Sequence, residues 1–138
     1  MPSIVPNALV EQSLREILTR EGFDLTPMRA NGETGVDIVA TRDGASTHIE
    51  CIGFKESPPQ RAKDFYESFF RVVSRLNDGA VCLVIALAAR SQAGLPARAR
   101  QHRIAWARLA VAFPELQIWL VDTTAKTVTR HTWAEWGN

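Results

Sequence analysis

An uninterrupted apolar run, residues 80–88, constrains the fold more than any other feature of this sequence. It is rich in Val, Leu and Ile, and Ala89 extends it to ten apolar residues. A membrane-spanning helix needs about 20 such residues, so the run is too short to cross a bilayer. A strand with one solvated face alternates polar and apolar residues, and this run does not. It therefore predicts a central strand covered on both faces.

The segments around this run predict an α/β domain. Apolar spacing and stop signals indicate helices over residues 7–21, with Asn7 as the cap, 58–77 and 96–113. Alternating patterns indicate strands over residues 23–29, 36–41, 46–54, 116–122 and 127–133. The predicted order is α-β-β-β-α-β-α-β-β. We therefore expect a mixed sheet flanked by helices, in one domain spanning residues 1–138.

Charge is distributed unevenly along the chain, although the net charge is only +1. Residues 1–56 carry five basic and nine acidic side chains, whereas residues 57–114 carry nine basic and three acidic ones. Arginine suits bidentate phosphate contacts, so the basic segment offers candidates for binding nucleic acid. These candidates are Arg71, Arg75, Arg98, Arg100 and Arg103. An ordinary solvated helix face explains them equally well.

The sequence lacks the motifs that several other functional classes require. There is no GxGxxG or P-loop pattern, so we expect no nucleotide cofactor. Cys51 and Cys82 have no zinc-binding spacing and lie in apolar strands, which predicts reduced, buried thiols. No secretory signal or membrane span is visible, so we expect a cytoplasmic protein.

A predicted β-hairpin brings two acids together. Asp43-Gly44 is typical of a two-residue turn, and the resulting register pairs Val39 with His48 and Asp37 with Glu50. Directly opposed side chains have Cβ atoms about 4.5–5.5 Å apart, so these carboxylates would repel each other. A divalent cation between them would remove the repulsion, since Mg²⁺ prefers carboxylate oxygens.

An exposed strand face is the alternative explanation for the acid pair. Acids are common on such faces, and a metal is then unnecessary. The neighbours argue against full exposure, because Ile52 and Phe54 share the face of Glu50, and Val39 shares that of Asp37. Acids on a partly apolar face indicate a cleft.

These residues resemble a known family. Glu11 with Gly22, then residues 35–39 (Gly-Val-Asp-Ile-Val) and 49–51 (Ile-Glu-Cys), are similar to the PD-(D/E)xK nuclease superfamily, in its Mrr-like and Holliday-junction-resolvase-like branch. The resemblance covers residues 7–88 and implies a restriction-endonuclease-like α-β-β-β-α-β core, here followed by an extra helix and a C-terminal hairpin. It implies that Asp37 and Glu50 bind Mg²⁺ or Mn²⁺ and that Glu11 joins the site.

One position departs from the family pattern. The family has a lysine two residues after the second acid, where this chain has Ile52. Lys55 could replace it if Gly53 forms a bulge, and Lys63 could reach over the strand ends. Alternatively, both lysines lie on the surface and the site is catalytically dead.

Two functions follow from these expectations. The first is a divalent-metal-dependent nuclease acting on DNA phosphodiester bonds, with Lys55 or Lys63 neutralising developing charge. The second is a catalytically inactive protein of the same fold, serving as a nucleic-acid-binding or protein-interaction subunit. A homodimer is a further expectation, since two sites related by a two-fold axis can cut two strands.

Overall fold

The computed structural model describes residues 4–28 and 36–137, and a six-stranded sheet organises them. The helices are α1 (Asn7–Arg20), α2 (Pro58–Val73), α3 (Leu95–Gln101) and α4 (Arg103–Ala112). The strands are β1 (Asp24–Leu25), β2 (Ile38–Arg42), β3 (Ala45–Ile52), β4 (Cys82–Ala88), β5 (Leu116–Asp122) and β6 (Thr127–Thr132). The predicted α/β class with a mixed sheet flanked by helices is confirmed.

The order of the strands in the sheet follows their order in the chain, β1 to β6. The first three strands are antiparallel, and so are β5 and β6. Strands β3, β4 and β5 run parallel, and helices connect them as parallel pairing requires. The register of the β2–β3 hairpin is the predicted one, with Val39 opposite His48.

Strand β4 lies at the centre and is buried on both faces, as its apolar run predicts. Leu83, Ile85 and Leu87 belong to a core shared with α2, α3 and α4. Val84 and Ala86 belong to a second core shared with α1 on the opposite face. A continuous apolar strand therefore separates two layers of helices.

The chain near its N-terminus crosses the end of β3. Val5 pairs with Phe54 through two backbone hydrogen bonds of 2.8 and 3.0 Å. Asn7 does not cap α1 as predicted; it is the first residue of the helix, and its side chain accepts hydrogen bonds from the Gly53 amide and Lys55. The close crossing explains the glycine, because a Cβ on Gly53 would lie 2.7 Å from the Pro6 carbonyl carbon.

Two predicted helices are shorter than expected. The segment 96–113 is broken at His102, whose φ of −114° and ψ of 36° are not helical, so it forms α3 and α4. Helix α2 ends at Val73 and continues as a 3-10 helix, Ser74–Asp78, which Gly79 terminates in the left-handed conformation. Part of the predicted strand 23–29 and the motif residue Gly35 lie outside the described residues.

Over residues 4–28 and 36–137, no helix is both long enough and apolar enough to cross a membrane.

Candidate functional site

Asp37 lies just before β2, where the hairpin ladder ends. The last paired residues are Ile38 and Ile49, so the predicted Asp37–Glu50 pair falls one step beyond the ladder. The Asp37 carboxylate instead accepts a hydrogen bond of 2.8 Å from the backbone amide of Cys51. Asp37 therefore extends the connection between the two strands with its side chain.

Among the described residues Glu50 is the one buried Asp, Glu, Lys or Arg, with 4% of its surface exposed. It points to the α2 face of the sheet, where an Arg71 guanidinium nitrogen lies 3.4 Å from its carboxylate. Arg71 also pairs with Glu67 at 3.5 Å and is largely exposed. The buried acid is thus compensated by a cation that remains in contact with water.

Glu11 is held by Arg15, one turn further along α1. The Arg15 Nε donates to the Glu11 carboxylate at 2.8 Å, and a second nitrogen donates to the Asp37 backbone carbonyl at 3.0 Å. One guanidinium therefore connects Glu11 on α1 to the backbone of Asp37 at the start of β2.

The negative charges of the three predicted acids all act on one buried thiol, that of Cys51. Burial is the main cause that raises the pKa of Cys51 well above its ordinary value, and the negative charges of Asp37, Glu11 and Glu50 raise it further. All three charges therefore disfavour the Cys51 thiolate, although Glu50 points to the α2 face and Cys51 packs in the core shared with α1.

The three acids contact protein donors in this arrangement. Within the part of the chain that the structure describes, no three His, Cys, Asp or Glu side chains are grouped to hold a metal ion. The Asp37 carboxylate is used by a backbone amide, and guanidinium groups lie against Glu11 and Glu50. Each of the three acids thus has at least one protein donor beside it.

The two lysines proposed to replace the motif lysine have partners elsewhere. Strand β3 ends at Ile52, so Gly53 introduces no bulge that would bring Lys55 into the strand pattern. Lys55 donates to Asn7 at 2.6 Å and pairs with Asp64 at 3.3 Å. Lys63 is exposed and pairs with Glu67 at 3.7 Å.

The predicted nucleic-acid-binding arginines fall into two groups. Arg71 and Arg75 take part in ion pairs, the latter with Asp78 at 2.6 Å. Arg98, Arg100 and Arg103 lie on α3 and α4, close to the break at His102. Arg100 and Arg103 are both exposed to solvent.

A cavity that the sequence analysis did not predict lies beyond the carboxyl ends of β3 and β4. It has a volume of about 320 Å³, and Arg61, Arg90 and Arg98 line it together with Ile52 and Phe54. The acid-free stretch from Gly79 to Pro114 was the available signal for Arg90 and Arg98. Nothing in the sequence indicated that Arg61 would join them.

Comparisons of the chain with protein-family models, curated proteins and solved structures gave no match.

Proposed function

We propose that this protein binds nucleic acid without cutting it, using a fold related to the PD-(D/E)xK nucleases. The observation that carries the proposal is the ion pair between the buried Glu50 and Arg71. It supports a structural use of an acid that would bind a cation in an active nuclease. Ile52 at the motif lysine position supports the same conclusion, because its buried side chain cannot stabilise a developing phosphate charge.

The binding function is supported by the arginines around the α3–α4 break. Arg100 and Arg103 are exposed, and the sequence from Gly79 to Pro114 contains no acid to neutralise them. Phosphate contacts of this kind give affinity that falls steeply with salt and depends little on sequence.

Fluorescence anisotropy with labelled duplex, single-stranded and branched DNA tests the proposal. We expect the logarithm of the observed binding constant to fall linearly with the logarithm of the salt concentration. The double variant Arg100→Ala/Arg103→Ala should lower the affinity about tenfold and reduce the salt slope by about 1–2. Arg20→Ala, an exposed arginine of α1 on the opposite face, is the matched control and should bind as wild type.

Cleavage of the same substrates is measured in parallel with Mg²⁺ and Mn²⁺. The proposal predicts intact DNA for wild type and for Asp37→Ala. Cleavage by wild type that disappears in Asp37→Ala would contradict it. If no salt-dependent binding is observed, the proposed binding of nucleic acid is contradicted, whatever the result of the cleavage assay.

A metal-dependent DNA nuclease is the second candidate, favoured because the Asp37 carboxylate accepts from the amide of Cys51, the neighbour of Glu50, and Arg15 links Glu11 to the Asp37 backbone. In that case Arg71, with 60% of its side chain exposed, would have to leave Glu50 when metal binds. Calorimetric titration with Mn²⁺ distinguishes the candidates: heat that is lost in Glu50→Gln supports the nuclease, and no heat at millimolar Mn²⁺ supports the non-catalytic protein.

A further inference from the structure

We infer that the cavity beyond β3 and β4 is a binding site for a phosphomonoester, the terminal phosphate of a nucleotide-sized group. The site is separate from the acids around Cys51, and this inference goes beyond the proposed function. Its position is a common one for ligands, because open α/β sheets bind them outside the carboxyl ends of their strands. Here Ile52 and Leu87 are the paired residues at that edge, and both line the cavity.

Positive charge dominates the cavity wall. Arg61 comes from the first turn of α2, Arg90 follows β4, and Arg98 belongs to α3. Three separate segments thus direct guanidinium groups to one space, and no acidic side chain lines it as far as the described residues go. Near neutral pH a phosphomonoester carries a charge of about −1.5 to −2, which suits a group of three arginines better than a singly charged diester does.

Two of the arginines, Arg61 and Arg98, donate to neutral oxygens. Arg61 donates to the backbone carbonyls of Lys55 and Glu56 at 2.7 and 2.9 Å. Arg98 donates to the Tyr66 hydroxyl at 3.2 Å. Because these oxygens carry no formal charge, they do not cancel the guanidinium charge of Arg61 or Arg98.

Phe54 supports two of the three guanidinium groups. The Arg61 and Arg90 guanidinium carbons lie over its ring, each 4.4 Å from the ring centroid. Phe54 is itself fixed by its backbone pairing with Val5. Stacking of this kind orders the guanidinium planes before a ligand arrives and so lowers the entropy cost of binding.

The volume limits the ligand. At about 320 Å³ the cavity is near the lower end of the range for small-molecule sites, about 300–1,000 Å³. It accommodates one phosphate with part of the group that carries it, and it excludes a duplex. Such a phosphomonoester is present in a free nucleoside monophosphate and at the phosphorylated end of a single strand.

Two pairs of probes test the inference. Adenosine 5′-monophosphate is compared with adenosine by calorimetry, and a 5′-phosphorylated eight-nucleotide strand is compared with its 5′-hydroxyl form by anisotropy. We expect at least tenfold tighter binding of the phosphorylated member in one pair, and the responding pair identifies the source. No phosphate dependence in either pair overturns the inference, while salt-dependent binding of both strands alike leaves the proposed function intact.

Variants then locate the site. Arg90→Gln should abolish most of the phosphate preference, and Arg98→Lys should weaken it severalfold because the charge remains while the bidentate fork is lost. Arg42→Gln is the matched control, since Arg42 also lies over a phenylalanine ring, at 4.3 Å from that of Phe23, but does not line the cavity. A phosphate preference that survives in Arg90→Gln and Arg98→Lys, with both variants folded by circular dichroism, overturns the assignment.

Discussion

The buried carboxylate of Glu50 and the exposed guanidinium of Arg71 form an ion pair of 3.4 Å across the α2 face of the sheet. The two side chains differ greatly in exposure, 6% for Glu50 and 60% for Arg71. Removing Arg71 therefore has a different effect on stability from removing the charge of Glu50, because only the buried acid has a large desolvation cost.

We predict that Arg71→Ala lowers the free energy of unfolding by about 1–2 kcal/mol, since a buried charge loses one of its compensating groups while water partly replaces it. Glu50→Gln should change stability by less than about 1 kcal/mol, because it removes the buried charge and leaves Arg71 in water. Equilibrium urea unfolding measures both. A larger loss in Glu50→Gln than in Arg71→Ala would contradict the structural role of the pair.

The crossing of residues 5–7 over Gly53 gives a second prediction. Gly53→Ala should destabilise the protein by more than about 2 kcal/mol, because the new methyl group collides with the backbone of Val5 and Pro6. Gly94→Ala is the control and should be close to neutral, since nothing lies within 4 Å of its Cβ position. Equal unfolding midpoints in urea for the two variants would show that the crossing does not constrain residue 53.

His48 makes stability depend on pH. It is buried against the α2 face, and its ring Nδ1 has no hydrogen-bond partner among residues 4–28 and 36–137. Burial lowers the pKa of His48 below its ordinary 6.5, Asp78 opposes this shift and Arg75 adds to it. The folded protein thus binds this proton less readily than the unfolded chain.

The contribution of His48 to the free energy of unfolding is therefore fully present above pH 6.5. It is lost as the pH falls through the lowered pKa of the folded state. We expect wild type to lose more of its thermal stability between pH 7.5 and pH 5 than His48→Gln does. Differential scanning fluorimetry at matched salt measures the difference. A His48→Gln profile parallel to that of wild type would refute the prediction.

The two thiols should react at different rates. Cys51 is buried and its pKa is raised by burial and then by the acids around it, whereas Cys82 is only half-buried. Burial also raises the pKa of Cys82, but a hydrogen bond with Thr47 opposes the rise. We expect iodoacetamide at pH 8 to modify Cys82 at least tenfold faster than Cys51, as followed by peptide mass spectrometry.

Unfolding in urea provides the control for this experiment, because both thiols should then react at similar rates. Faster labelling of Cys51 in the native protein would mean that the core beneath α1 opens more easily than its burial indicates.

Much of the sheet could be predicted from local sequence. The hairpin register follows from Asp43-Gly44, both of which have positive φ angles, as a two-residue turn of this type requires. The central position of β4 follows from its lack of polar residues. These features depend on neighbours in the chain, which the sequence displays directly.

Features that depend on distant segments could not be predicted in the same way. Asparagine is a common N-cap residue, but the side chain of Asn7 instead accepts a hydrogen bond from the amide of Gly53, which is remote in sequence. The pairing of Arg71 with Glu50 requires the orientation of α2 on the sheet, which no local pattern specifies. The cavity is a still stronger example, because Arg61, Arg90 and Arg98 come from three elements.

The matching order of strands in chain and sheet has a consequence for how the protein forms. No strand has to enter between two others that are already paired, so the sheet can grow by successive addition at one edge. The last strand added to a partly formed sheet then pairs with the next strand in the sequence. In the finished sheet of the described residues only β1 and β6 keep a free edge, so only these two strands could pair with a strand from another molecule.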